Sequence, residues 1–143
     1  MARVLEGTRV LELGTFITGP CAAMLLADLG ADVVKIEQPG KGDPFRNYEG
    51  TLYSPQFRAY NARKRSLTLD LKTAQGREVL DRLLLEADVL IENFRPGVLA
   101  SQNYGWGRLH EVNQRLVYCS ITGFGSAGPY VDRPCYETRL HRR

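Results

Sequence analysis

The chain is poor in the groups that most often announce chemistry by themselves: its 143 residues hold three cysteines, two histidines and a single tryptophan. Cys21, Cys119 and Cys135 are odd in number and show no C-x-x-C spacing, so neither a disulfide framework nor a zinc site is expected, and no metal is assigned. His110 and His141 stand apart from any cysteine or carboxylate constellation, which leaves both without a ligand or general-base role. No G-x-S-x-G or H-E-x-x-H motif occurs, and the hydrolase and zinc-peptidase chemistries that use them are set aside. No apolar run reaches the ~20 residues of a bilayer-spanning helix. The opening MARVLEGTRVLELG lacks the apolar centre and cleavage site of a signal peptide. No membrane partner is expected, and the expected location is cytoplasmic. A formal charge of +3, with basic clusters only at 63–65 and 141–143, falls short of the stripe that nucleic-acid binding requires.

What is present reads as one globular domain, 43% hydrophobic and 24% charged. The stretch 8–13 (TRVLEL) is a short apolar run ended by Gly14, as in a buried parallel strand. Pro20 suits the first turn of a helix, and the following CAAMLLADLG is apolar nearly all round, stopping at Gly30. That pattern predicts a helix sandwiched against a sheet. With a second strand over 32–37 (DVVKIE), residues 8–37 form a βαβ unit. Residues 38–64 show no sustained period and read as a long loop with one helical turn near 54–61. A strand over 66–71 follows, then a helix over 74–86 capped by Thr73 with Leu80, Leu83 and Leu84 on one face. Strands over 88–92 and 116–121 flank a broken helical region that has Leu109 and Val112 as its apolar contacts. Strands alternating with helices indicate an α/β fold with a mainly parallel sheet and flanking helices.

Ligands of such sheets sit at the carboxyl ends of the strands. The segments there are GTFITGP (14–20), EQPGKGDPFR (37–46), DLKT (70–73), ENFRPG (92–97) and TGFGSAGP (122–129). GFGSAG has the spacing of a dinucleotide loop, but it runs into Pro129 and Pro134 instead of a helix, so that reading is rejected. GTFITG followed by a strand ending at Glu37 is the better dinucleotide case. It lacks the third glycine, and Phe16 and Ile17 suit an apolar acyl or thioether chain better than a pyrophosphate. Arg95 and Lys72, with Arg63, Lys64 and Arg65 near in sequence, are cations able to meet one polyphosphate, or else solvated surface charge. A dinucleotide oxidoreductase fragment and a non-catalytic nucleotide-binding module therefore stay open on residues alone.

Taken in order, LEGTRVLEL, GPCAAMLLADLGADVVKIEQPGKGDPFR, NARKRSLTLDLKTAQGRE, ADVLIENFRPGVL and LVYCSITGFGSAGPYVDRP resemble the N-terminal part of the class III CoA-transferases, a family that also includes α-methylacyl-CoA racemase and formyl-CoA transferase. The resemblance implies a Rossmann-like domain with coenzyme A, free or as acyl-CoA, lying across its carboxyl-terminal face as a substrate, and no tightly bound cofactor. It implies that Ile17 and Thr18 flank the pantetheine, that Gln38, Leu69, Asp70, Leu71 and Lys72 meet the nucleotide, and that Asn93, Phe94 and Arg95 line the CoA channel. Gln38 departs from the arginine often found at its position. GFGSAGP corresponds to a glycine turn that shapes the pocket wall near the thioester.

Tyr136 and Glu137 stand where racemase-like members carry His then Asp and transferase-like members Tyr then Glu, so the resemblance is to the transferase branch, with this pair as supporting residues. The family reaction moves CoA from an acyl-CoA to a carboxylic acid by way of an aspartyl nucleophile downstream of the matched segment. Residues 1–137 are thus expected to be the N-terminal part of the large domain, 138–143 a basic tail that does not match, and the sheet incomplete through truncation. No catalytic residue of the reaction is expected in this chain, which alone should not turn over. The family's interlocked homodimer is not one that such a fragment is expected to complete.

Overall fold

The computed structural model describes residues 3–50 and 53–135. Five parallel strands, β1 (Arg9–Glu12), β2 (Asp32–Glu37), β3 (Arg65–Thr68), β4 (Val89–Glu92) and β5 (Val117–Ser120), form one sheet in the order β3-β2-β1-β4-β5. The chain lays down β1, β2 and β3 toward one edge, then crosses back to place β4 and β5 on the other side of β1. The order reverses between β1 and β4, and in open parallel sheets that crevice is where ligands bind.

Alternation along each strand sends its side chains into two separate cores. Leu11, Ile36 and Leu90 face Leu80 and Leu84 of α3 (Ala74–Glu86) and Leu109 of α5 (Trp106–Val112). Val10, Val33 and Ile91 face Ala23 and Ala27 of α1 (Thr18–Asp28). Small residues on the buried stripe of α1 let it lie close to the sheet. The sandwiched helix expected from sequence is therefore corrected: one face is covered, while Leu25 and Leu29 are 55% and 43% exposed. Among the described residues β3 and β5 are the edges of the sheet.

The segment read as a long loop is more ordered than its lack of period implied. A 3-10 helix spans Pro44–Gly50, and α2 spans Pro55–Asn61, capped by Ser54, whose Oγ accepts the Phe57 N–H at 3.1 Å. Aromatic contacts hold the segment, which is why it shows no helical hydrophobic period: Phe45 lies 5.2 Å from both Phe16 and Tyr48 and stacks on Tyr60 at 6.5 Å. β3 ends three residues before the predicted Leu71, with Leu69 adding one more bond to the Glu37 carbonyl, and Leu69–Thr73 then turns toward α3. The broken helical region resolves into α4 (Val98–Ser101) and α5.

Candidate functional site

Both sides of the β1–β4 crevice are fixed by one side chain. Asn93, just past β4, accepts the Thr15 N–H at 2.8 Å and donates to the Thr15 carbonyl at 2.8 Å and to Thr18 Oγ1 at 2.9 Å. Its amide thus clamps the loop after β1. That loop needs both glycines of GTFITG for contact with itself: a Cβ on Gly14 would lie 2.9 Å from Gly19 Cα, and one on Gly19 would lie 3.2 Å from the Asn93 amide. Glu92, buried at the end of β4, accepts the Phe94 N–H at 2.7 Å through Oε2 and the Tyr118 hydroxyl at 2.7 Å through Oε1. Burial, and next the bond to Glu92, push the Tyr118 pKa up to about 12.

Two adjoining cavities result. The first, about 190 Å³, is lined by Gln38, Leu69, Asp70, Leu71 and Lys72 together with Phe94 and the β1–α1 loop. The second, about 530 Å³, takes in Phe16, Ile17, Thr18, Phe45, Asn93 and Arg95. Thr15 and Phe94 belong to both. Every residue that the resemblance assigned to the exits of β1, β2, β3 and β4 thus lines one or other cavity. Lys72 and Arg95 are exposed. Tyr136 and Glu137 lie outside the described residues.

The basic cluster at 63–65 does not join this site. Arg65 stands at the start of β3 and pairs with Asp32 at the start of β2, at the amino end of the sheet; Arg63 pairs with Asp28. Lys64 is buried, donating to Glu12 Oε2 at 2.7 Å, the Pro20 carbonyl at 2.8 Å and Asn61 Oδ1 at 2.9 Å. Of the two readings open for these cations, a shared polyphosphate and solvated surface charge, Arg63 and Arg65 follow the second as exposed ion pairs and Lys64 follows neither, being buried; each already answers a carboxylate.

Glu37 is likewise engaged. Its Oε1 accepts the Asp43 N–H at 2.8 Å and Arg46 Nε at 2.8 Å, while Oε2 accepts Arg46 Nη2 at 2.5 Å. Both oxygens of the only acidic candidate for a dinucleotide ribose are therefore occupied within the protein. The guanidinium also lies 4.1 Å over the Phe57 ring. Burial is the largest influence on Glu37 and acts to raise its pKa, but the Arg46 hydrogen bond, the Asp43 N–H and the charges of Arg46 and Lys35 together outweigh it, so the carboxyl sits below its ordinary 4.5. The folded chain then holds this proton less tightly than the unfolded chain, and the pair's contribution is whole above that value and lost as pH falls through the depressed one. Denaturant midpoints should drop as pH falls below the ordinary carboxylate value of 4.5, and Arg46→Met should shrink that drop, because unpaired burial raises the Glu37 pKa.

Sequence reasoning missed the buried charges beneath the site. Lys35 donates to Glu12 Oε1 and the Gly14 carbonyl, each at 2.8 Å, and stands 2.9 Å from Asp43 Oδ2, paired in charge without hydrogen-bond alignment. A lysine and a glutamate inside apolar strands, in VLEL and VVKIE, were the available signal, since such groups are buried only when paired. The glycine turn at 123–128 is exposed and no helix follows it. Its expected place in the pocket wall is taken by the returning limb: Pro134 and Cys135 line the second cavity, and a Cβ on Gly123 would lie 2.1 Å from Cys135 Cβ. No cluster of metal-binding side chains occurs among the described residues, and no helix among them is long and apolar enough to cross a membrane.

The model of CoA-transferase family III matches residues 5–142. A succinyl-CoA–D-citramalate CoA-transferase of Chloroflexus aurantiacus is 47% identical over 92% of this chain and 33% of its own length. A formyl-CoA:oxalate CoA-transferase of Escherichia coli is 41% identical over 96% of this chain and 34% of its own. Among solved structures, a CAIB/BAIF family protein from Brucella suis superposes with a TM-score of 0.90 at 43% identity, covering 96% of this chain and 38% of that one. The chain thus spans about a third of the length of the curated relatives it matches.

Proposed function

The chain belongs to CoA-transferase family III, and from that membership we propose that it binds an acyl-CoA along the carboxyl ends of its strands as part of a CoA-transfer reaction. The observation that supports this most directly is that candidate residues from four separate strand exits line cavities sharing Thr15 and Phe94. In this reading the nucleotide of CoA lies by Gln38 and Leu69–Lys72, with Lys72 as the exposed cation for phosphate. The thin pantetheine arm passes Asn93, Phe94 and Arg95 and meets Ile17 and Thr18, where the aromatic wall of Phe16 and Phe45 suits its apolar atoms.

The substrate class carried over from the relatives' names is an acyl-CoA donor with a carboxylic acid acceptor. Transfer proceeds through an attacking aspartate, a mixed anhydride and an enzyme-bound thioester before the second carboxylate takes the CoA. No carboxylate among the described residues lines the second cavity, and the attacking group comes from outside them. Tyr136, if placed beside the acyl group, is a poor base near neutral pH, which favours transfer over α-proton exchange. CoA is a substrate here, not a resident cofactor. We place the reaction in the cytoplasm and the whole protein in a homodimer.

Calorimetric titration of the 143-residue chain tests the reading. CoA should bind while NAD does not, and Lys72→Ala and Arg95→Ala should each weaken CoA about tenfold, with the loss shrinking as salt rises. Equal affinity for NAD, or CoA binding untouched by both substitutions, would refute it. The chain alone should show no steady exchange of CoA between an acyl-CoA and a free acid.

A further inference from the structure

We infer that Asp43, a residue to which the sequence motifs assign nothing, is the positioning residue for the aromatic wall of the second cavity and thereby for the apolar arm of the thioester; the inference rests on the CoA reading above. Its carboxylate is fully buried, yet it reaches three separate parts of the site. Oδ1 accepts two backbone donors, Phe45 N–H at 2.9 Å from its own loop and Phe16 N–H at 3.2 Å from the loop after β1. Oδ2 stands 2.9 Å from the ammonium of Lys35, which in turn holds the Gly14 carbonyl at 2.8 Å. One side chain therefore ties the exit of β1 to the exit of β2.

The tie matters because of what it holds. Phe16 has φ 61°, the left-handed region that a bulky side chain enters only when its surroundings enforce it. In that conformation its ring meets Phe45 edge to face at 5.2 Å, and both rings line the second cavity. Asp43 binds the backbone N–H of both ring-bearing residues, so it sets the spacing of the wall without contributing to its surface. Released from Asp43, Phe16 relaxes toward negative φ and its ring leaves its place against Phe45. Asp43 also borders the first cavity, beside Gln38 and Leu69–Lys72, but its buried carboxylate is turned to Phe16, Phe45 and Lys35, so the nucleotide end loses no direct contact when that carboxylate is removed.

The test compares Asp43→Ala and Asp43→Asn with the parent chain, titrated with CoA and with the adenosine bisphosphate half of CoA, which has no pantetheine arm. Asp43→Ala should weaken CoA about tenfold or more while leaving the nucleotide half within about twofold. Asp43→Asn, whose amide oxygen can still accept both N–H groups, should fall between. Amide exchange at Phe16 should be faster in Asp43→Ala than in the parent. An equal loss for both ligands, an unchanged ratio, or the unfolding of both variants would make Asp43 merely structural and overturn the inference while leaving the CoA reading intact. A parent chain that binds neither ligand overturns both.

Discussion

Glu12→Ala is expected to cost the fold about 3–5 kcal/mol, because it removes a shared partner from two buried ammonium groups at once. Glu12 is fully buried, accepting Lys35 at Oε1 and Lys64 at Oε2. After the substitution Lys35 keeps Asp43 and the Gly14 carbonyl, but Lys64 keeps only the uncharged oxygens of Pro20 and Asn61. Burial already holds the Lys64 pKa below its ordinary value, with the Glu12 charge and hydrogen bond opposing that fall. Without Glu12 the folded state binds this proton still less tightly than the unfolded state, so the variant regains stability as pH rises toward the ordinary lysine range. Urea unfolding at neutral and alkaline pH reads both effects. Adding Lys64→Met to Glu12→Ala should recover part of the loss, since an apolar side chain suits the vacated interior better than an unpaired charge. A single variant within about 1 kcal/mol of the parent would show the cluster to be far less coupled than its geometry implies.

The parts of the fold legible in the sequence were those whose pattern repeats over a buried face. Strand β2 and helix α3 fall where the apolar runs and the Thr73 cap place them, because apolar spacing decides burial directly. The region 44–61 was read less well, since ring-to-ring contacts around Phe45 carry no period along the chain. The outward-facing side of α1 was misread for a related reason: its buried stripe is built from Gly19, Ala23 and Ala27, which look no more apolar than the exposed Leu25.

In the site, the strand exits were legible and the charges behind them were not. Composition marks Gln38, Leu69–Lys72 and Asn93–Arg95 as loop residues at the right ends of strands, and the topology brings them together. Whether a given lysine faces ligand or core depends on tertiary register. Lys64 and Arg65 are neighbours in sequence, yet one lies beneath the site and the other at the opposite end of the sheet. Asn93 is the intermediate case, since its position at the channel was anticipated but its three hydrogen bonds go to the β1–α1 loop. The loop architecture therefore precedes the ligand: the cavities are shaped by amide, carboxylate and ammonium groups that already have partners within the protein.

Gly76→Ala is the second substitution with a large expected effect, and its sign is opposite to the general rule. Alanine inside a helix is ordinarily more stable than glycine by about 0.5–1 kcal/mol. Gly76, however, lies in the first turn of α3, where its N–H donates to Thr73 Oγ1 at 3.0 Å and a Cβ would fall 1.9 Å from the Asp70 carbonyl oxygen. That oxygen cannot retreat alone: it accepts the Thr73 N–H at 3.1 Å and the Thr73 hydroxyl at 2.9 Å, closing the turn that carries Leu71 and Lys72 into the first cavity. To admit the methyl group, either α3 moves off the sheet or the turn opens. The first loosens the packing of Leu80 and Leu84, and the second displaces Lys72. Overpacking of this kind costs about 1–3 kcal/mol, and because the clash falls on the Asp70 turn itself, the second route carries the displacement into the site. A lower denaturant midpoint together with weakened binding of the adenosine bisphosphate half of CoA is the expected pair of results. Increased stability, as helix propensity alone would give, would mean that the Asp70 turn is free to move and that the first cavity is not held in the shape seen here.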